Sequence, residues 1–321
     1  MKKEFIAVLG ATASGKSALA LYLAERHGGE IVSCDSMQIY RGMDIGTAKP
    51  AAEEMSRVPH HMIDIVSPDE DFSAGDYAAL AGEAIDGILS RGKLPIVCGG
   101  TFLYLDSLTE VSSLSDSSKD EALRSELEKY AAENGVSALH KKLEEIDPAS
   151  ASAIHENNVK RVIRAIEIFK TTGKPKSEWD RLSKEAEPEY GAHRIVISYH
   201  DRELLYRRID KRVDRMMEEG LLKEAENLYK QGYLAPSTIA SQAIGYKEFT
   251  DFFEGRGTVA EAVERIKQSS RNYAKRQLTW LRRYGDAATV WGDTENGEER
   301  GLDEIGRDAE AAFAGRGVLK I

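Results

Sequence analysis

The fold turns on the stretch "FIAVLGATASGKS", Phe5 to Ser17. Five apolar residues precede Gly10, four residues follow, and Gly15, Lys16 and Ser17 close the pattern. The apolar run reads as a buried strand. In "KSALALYLAERHG", Leu19, Ala20, Leu23 and Ala24 recur at helical spacing, so the loop leads from a strand into a helix. Such a loop cradles phosphate. The glycines let the backbone N–H groups of Gly10, Ala11, Thr12, Ala13, Ser14 and Gly15 point into one concavity. The helix adds its positive N-terminal end. Lys16 supplies a point charge, and Ser17 a hydroxyl for Mg²⁺. The pattern is specific for a polyphosphate but does not say which one.

Further along, "GEIVSCD" is a second strand, "HHMIDIV" (His60 to Val66) a third, and the nearly all-apolar "LPIVCGG" a fourth and central one. The helix "AGDYAALAGEAIDGILSRG" precedes the fourth strand. Beyond Leu108 the chain turns polar, in "TEVSSLSDSSKDE", and then reads as helix to about Leu182. A strand, "HRIVISYH", follows, then helices from Asp201 to Tyr284, the short strand "ATVWGD" and a terminal helix. The expected fold is α/β: a P-loop NTPase-like parallel sheet flanked by helices, with an all-helical insertion domain. Residues 1–112 are the first part of the core and 113–191 the insertion. Residues 192–321 are the second, mostly helical part, with strands near 193–200 and 288–292.

At 321 residues the chain can bury a large core. No stretch reaches the roughly 20 apolar residues of a membrane span. "MKKEFIAVLG" lacks the longer apolar segment of a signal peptide, and Cys34 and Cys98 have neither metal nor disulfide-framework spacing. A cytoplasmic, reduced, monomeric protein is expected. The net charge of −10 conceals an uneven distribution: Arg265 to Tyr284 holds seven basic residues and no acid. Local fields decide docking.

In an open parallel sheet, groups at the carboxyl ends of strands face the ligand crevice. Asp35, after the second strand, sits beside the phosphate loop. There it serves as a base or holds a metal, or it caps the turn into "SMQIY". Gln38 follows by three, and its amide can read an adenine edge. After the fourth strand, "GGTFLY" offers Thr101 where an ordinary ATPase would place an acid, which argues against ATP hydrolysis. His60 and His61 are neighbours on a strand, so they point to opposite faces and cannot chelate together.

Together, "GATASGKS", "DSMQIYRGMDIGTAKP", "GGTFLY", "QAIGYKE" and "RNYAKRQLTWLR" resemble the tRNA dimethylallyltransferases of bacterial type, in order from Phe5 to Trp291. The resemblance implies transfer of a dimethylallyl group from dimethylallyl diphosphate to the exocyclic amine of the adenosine 3′ of the anticodon, with Mg²⁺ and release of diphosphate. The loop then holds the leaving group, and the bond that breaks is carbon–oxygen. Asp35 is implied as the base, Thr101 as a contact to a diphosphate oxygen, and Arg212 as a diphosphate-binding arginine. The implied tRNA contacts around the target nucleotide are Asp35, Ser36, Met37, Gln38 and Thr101. From "QAIGYKE" they are Gln242, Ala243, Ile244, Gly245, Tyr246 and Lys247.

The basic helices complete the implied tRNA surface. In "RIKQSSRNYAKRQLTWLRRYG", Ala274, Leu278 and Leu281 mark an apolar face, and Arg271, Lys275 and Arg282 a basic stripe suited to phosphates; Arg276 belongs to the same segment. In the insertion, Arg124, Lys160, Arg161 and Arg164 are the counterparts, with 160 and 164 on one helix face. A small-molecule kinase shares the cradle but gives no use for a basic helical insertion. An adenylate isopentenyltransferase, acting on free nucleotides, has none either. A degenerate RNA-binding module fits poorly with intact Lys16, Ser17, Asp35 and Thr101.

Overall fold

The computed structural model describes residues 2–110 and 120–314. The polar segment 111–119, where the sequence suggests a linker, lies outside the described residues. The chain divides into two compact units: Met1–Thr109 with Tyr190–Ile321, and Glu110–Glu189.

The first unit begins β1 (Lys3–Gly10), α1 (Lys16–His27), β2 (Gly29–Cys34), α2 (Ala52–Arg57), β3 (His60–His61), α3 (Ala74–Ser90), β4 (Leu94–Gly99), α4 (Phe102–Thr109). The second unit holds α5 (Glu121–Asn134), α6 (Val136–Ile146), α7 (Pro148–Ala153), α8 (Val159–Thr172) and α9 (Lys176–Glu185). The first unit resumes with β5 (Tyr190–Ser198), α10 (Arg202–Glu219), α11 (Leu221–Lys230), α12 (Thr250–Phe253), α13 (Val259–Leu281), β6 (Ala288–Trp291) and α14 (Leu302–Phe313).

The six strands form one parallel sheet in the order β3-β2-β4-β1-β5-β6. Alternate residues of β1 feed opposite faces: Phe5, Ala7 and Leu9 pack with α3 and α4, and Ile6 and Val8 pack with α1 and α14. Both faces are covered, so β1 is apolar and buried from Phe5 to Leu9. The chain moves to one side of β1 for β2 and to the other for β5. The carboxyl ends of β1, β2, β4 and β5 therefore surround a crevice at the switch point.

Two boundaries differ from the sequence reading. Only His60 and His61 of "HHMIDIV" pair in the sheet; Met62 and Asp64 have left-handed backbone, at φ 63° and 55°, which ends the strand. The fifth strand starts at Tyr190, because Lys3 to Gly10 pairs with residues 190–197 along its whole length. In the second unit, Leu127, Leu139, Leu143, Val162, Ile163 and Ile166 form a separate core.

Candidate active site

The loop after β1 is fastened at each residue from Ala11 to Ser14. Lys16 Nζ donates to Ala11 O (3.3 Å), and Thr12 N donates to Gln277 Oε1 (2.7 Å). Arg208 Nε donates to Ala13 O (2.9 Å), and Tyr199 Oη to Ser14 O (3.1 Å). Ala13 and Gly15 are left-handed (φ 61° and 95°), and the reversal at Gly15 starts α1 at Lys16. Lys16 is half-buried. Burial and then the nearby Arg212 charge push its ammonium below the usual lysine range, so an anion there would be welcomed. Ser17 is exposed in the first turn of α1.

Asp35 follows β2. Its Oδ1 accepts from Met37 N (2.9 Å) and Gln38 N (3.4 Å), while Oδ2 has no hydrogen-bond partner among the described residues. The residue thus caps the turn with one oxygen and presents the other. Thr101 lies alongside: its Oγ1 accepts from Ser36 N (3.0 Å) and donates to Ser36 Oγ (3.3 Å).

Arg212, on α10, sits where the charges converge. Burial lowers its pKa and the Asp35 charge opposes the shift; its Nε is buried without a hydrogen-bond partner. It lines two cavities. One, of about 450 Å³, adjoins Gly15, Lys16 and Ser17 and is walled by Arg207, Arg208, Lys211 and Arg215. The other, of about 230 Å³, is bounded by Asp35, Ser36 and Met37, by Gly46 and Thr47, by apolar Ile209, Val213 and Met216, and by residues 242–245. Tyr273 and Arg276 close it from α13. Burial and the Asp35 charge push the Tyr273 hydroxyl up to about 12, so it stays a donor, to Gly100 O (3.3 Å).

An anion cradle and a mixed apolar and polar pocket meeting at one arginine can bring a phosphorylated donor to a flat acceptor. Comparison with known proteins agrees. A family model described as "IPP transferase" matches residues 38–284, and one described as "Isopentenyl transferase" matches residues 3–70. A tRNA dimethylallyltransferase of Halalkalibacterium halodurans is 48% identical over 293 residues, 91% of this chain and 92% of that protein. The one from Acetivibrio thermocellus is 50% identical over 92% of this chain and 94% of its own length. The chain belongs to the tRNA dimethylallyltransferase family. Among solved structures, the full-length tRNA isopentenylpyrophosphate transferase of Bacillus halodurans superposes with TM-score 0.70 at 44% identity, covering 99% of this chain and 97% of that one. A eukaryotic dimethylallyltransferase acting on tRNA gives TM-score 0.79 at 31% identity, covering 90% and 74%.

The site residues implied by the family resemblance fall into two groups. Thr12, Asp35, Ser36 and Met37 line the second cavity and Ala13, Gly15, Lys16 and Ser17 the first, with Arg212 in both, while Thr101 is tied to Ser36; the N–H groups of Thr12 and Ser14 do not face a ligand, since they donate to Gln277 Oε1 (2.7 Å) and Ala11 O (3.2 Å). Gln242, Ile244, Gly245 and Lys247 line the second cavity with Ala243. Lys275, Arg276 and Arg282 are exposed with no acidic partner among the described residues.

Other assignments need correcting. Gln38 does not present its amide: Oε1 accepts from Ser33 Oγ (2.8 Å), and Nε2 donates to Thr47 O (3.2 Å) and Ala48 O (3.1 Å). It holds its own loop together and cannot read a base with those atoms. Tyr246 is fully buried and donates to Glu224 Oε1 (2.7 Å), so its side chain belongs to the core. The segment 265–284 does not lack acids in space: Arg265 pairs with Asp251 (2.9 Å), Lys267 with Asp214 (2.7 Å), Arg271 with Asp210 (2.5 Å), and Arg283 with Asp106 (3.9 Å). Within the second unit, Arg124 pairs in bidentate fashion with fully buried Glu167 (2.9 Å twice), and Arg164 reaches the same carboxylate (2.6 Å). Those two arginines neutralise a buried acid; Lys160 and Arg161 are exposed.

Sequence reasoning missed Gln277, Glu224, Tyr199 and Tyr273. Gln277 and Tyr273 fall inside "RNYAKRQLTWLR", but nothing in that stretch singled out their side chains. Gln277 is 4% exposed and reaches both the loop after β1 and the turn after β4.

Proposed function

We propose that this chain transfers a dimethylallyl group from dimethylallyl diphosphate to the exocyclic amine of the adenosine 3′ of the anticodon in tRNA, releasing diphosphate and giving isopentenyladenosine. The carrying observation is the position of Arg212, shared by the cation-walled cavity at the Gly10–Ser17 loop and the cavity that carries Asp35.

In this reading the diphosphate lies on the loop, against Lys16 and the unpartnered Nε of Arg212. The allylic C–O bond breaks, and its electron pair leaves with the diphosphate. The chain's donors face the oxygens where that charge collects, which lowers the barrier most for a carbon that ionises readily. The adenine amine forms the new N–C bond and loses a proton to Asp35, whose Oδ2 is open while Oδ1 is held by the turn. Thr101, bonded to Ser36 beside Asp35, keeps a hydroxyl near the departing oxygens. The flipped base takes the second cavity, between Met37 and the apolar side chains of α10; extrusion is cheapest in a loop.

Mg²⁺ suits the residues present. Ser17 offers an exposed hydroxyl, and no group of three or more His, Cys, Asp or Glu side chains that could hold a metal exists among the described residues. An ion there would be held by Ser17 and the substrate's own phosphate oxygens, in keeping with the habit of Mg²⁺, and would neutralise charge on the leaving diphosphate. Lys275, Arg276 and Arg282, with Lys160 and Arg161 of the second unit, are assigned to the tRNA backbone. No helix among the described residues is long and apolar enough to cross a membrane, and we place the activity in the cytoplasm, with the chain acting as a monomer.

The test is incubation of purified protein with unmodified tRNA, dimethylallyl diphosphate and Mg²⁺, followed by mass analysis of the nucleosides. Isopentenyladenosine must appear, and its absence with an intact, folded protein would remove the proposal.

A further inference from the structure

Glu224 lies on α11, outside every motif of the sequence. Its carboxylate accepts four hydrogen bonds. Oε2 takes Asp44 N (3.0 Å) and Ile45 N (2.9 Å); Oε1 takes Gly46 N (3.0 Å) and Tyr246 Oη (2.7 Å). Three consecutive N–H groups converging on one anion form a nest, filled here by a side chain. The Tyr246 hydroxyl stays protonated, since burial and then the Glu224 charge push its pKa upward.

The two segments that Glu224 joins are walls of the cavity beside Asp35. Gly46 and Thr47 come from one, and Ile244, Gly245 and Lys247 from the other. The joint is tight. A Cβ on Gly46 would stand 2.5 Å from Tyr246 Cζ, so only glycine lets the 44–47 loop lie on that ring. From inside, Gln38 Nε2 donates to Thr47 O and Ala48 O, and Lys49 Nζ to Tyr40 O (2.7 Å). Lys49 also holds Asp44, through N to Asp44 O (3.0 Å) and Nζ to Asp44 Oδ1 (2.6 Å), but the N–H groups of Asp44, Ile45 and Gly46 are bonded from the Glu224 side, and none of the three residues belongs to a helix or strand.

We propose that Glu224 is a positioning residue that sets the width of the acceptor pocket by clamping the 44–47 loop to the 242–247 segment. It rests on the reading that this pocket receives the flipped adenosine. Glu224 acts on the nucleic-acid substrate and leaves the diphosphate cradle alone, because it touches neither the Gly10–Ser17 loop nor Arg212. A carboxylate is required. All four partners are donors, and whichever way a glutamine amide is turned, its NH₂ group faces two of them.

The experiment is steady-state kinetics of Glu224→Gln with both substrates varied, beside the wild type. KM for tRNA should rise between about 10- and 100-fold, the usual cost of a wall displaced by a fraction of an ångström to an ångström. kcat at saturating tRNA should change less, and dimethylallyl diphosphate affinity should stay within about two-fold. Glu224→Asp, which keeps the acceptors, should recover part of the loss. Tyr246→Phe removes only the phenol bond and should raise KM for tRNA several-fold; it carries the test if Glu224→Gln does not fold. Wild-type KM for tRNA in the folded variant, or a fall in kcat alone, would overturn the proposal. A wild type that makes no isopentenyladenosine would instead sink the functional reading.

Discussion

Gln277 accepts the backbone N–H of Thr12 at 2.7 Å and donates to the carbonyl of Gly100 at 3.0 Å. One buried amide thus spans the loop after β1 and the turn that carries Thr101. Both bonded groups sit at strand ends in the core of the site, where an unsatisfied polar group is expensive.

Gln277→Leu keeps the volume and removes both bonds. Single-turnover transfer should slow between about 10- and 100-fold from misplacement of the loop relative to Thr101. tRNA affinity should hold, since the exposed cations of α13 are untouched. An unchanged single-turnover rate would show that the bridge has no bearing on the chemistry.

For Asp35 the informative variant is Asn. It retains an oxygen to accept from Met37 N and Gln38 N, so the turn survives while the base is removed. Turnover should fall by about 10²- to 10⁴-fold, with dimethylallyl diphosphate affinity preserved. Isothermal titration with the diphosphate and rapid-quench kinetics separate the two. Loss of diphosphate binding without loss of rate would reassign Asp35 to the leaving group.

The charges of α13 divide into paired and unpaired sets. The Lys275→Ala/Arg282→Ala double variant should weaken tRNA binding and flatten its salt dependence, by somewhat under one unit of log–log slope for each phosphate that is no longer neutralised. Arg271→Ala breaks an ion pair with Asp210 and should lower thermal stability without altering the slope. Equal slopes in all three proteins would mean that the tRNA docks elsewhere.

Glu30 supplies an acid-sensitive element. Burial disfavours its ionisation, but hydrogen bonds from Arg91, His61 and Lys93 outweigh that and bring its pKa from 4.5 down to about 2. A depressed carboxyl stabilises the fold above its unfolded pKa, and that stability is lost as pH falls from about 4.5 towards 2. The contribution is on the order of 3 kcal/mol at neutral pH. Comparing wild type and Glu30→Gln by urea titration, the stability gap should be widest at neutral pH and close as the solution is acidified through that window. A gap independent of pH would show that the network is not electrostatic.

Much of the candidate site was legible from local pattern. A strand, a glycine-framed loop and a helix placed Lys16 and Ser17 without any tertiary information, because hydrophobic periodicity and the φ freedom of glycine act over a few residues. The switch of character after Leu108 foretold the separate helical unit, since a polar break and a new apolar period are also local signals.

Which polar side chains face substrate was a different matter. Sequence shows that Gln38, Arg124, Arg164 and Arg271 can bond something; only packing shows that Ser33 and Thr47, Glu167, and Asp210 already bond them. The roles of Gln277 and Glu224 were not legible, because their partners lie 265 and about 180 residues away in the chain. Residue order was enough to specify the parallel sheet and the glycine-framed loop between its first strand and the following helix. Which charges remain free for RNA, and which side chains hold the walls, emerged only from the packed molecule, because an ion pair or a clamp depends on the element lying opposite, and residue order does not specify that.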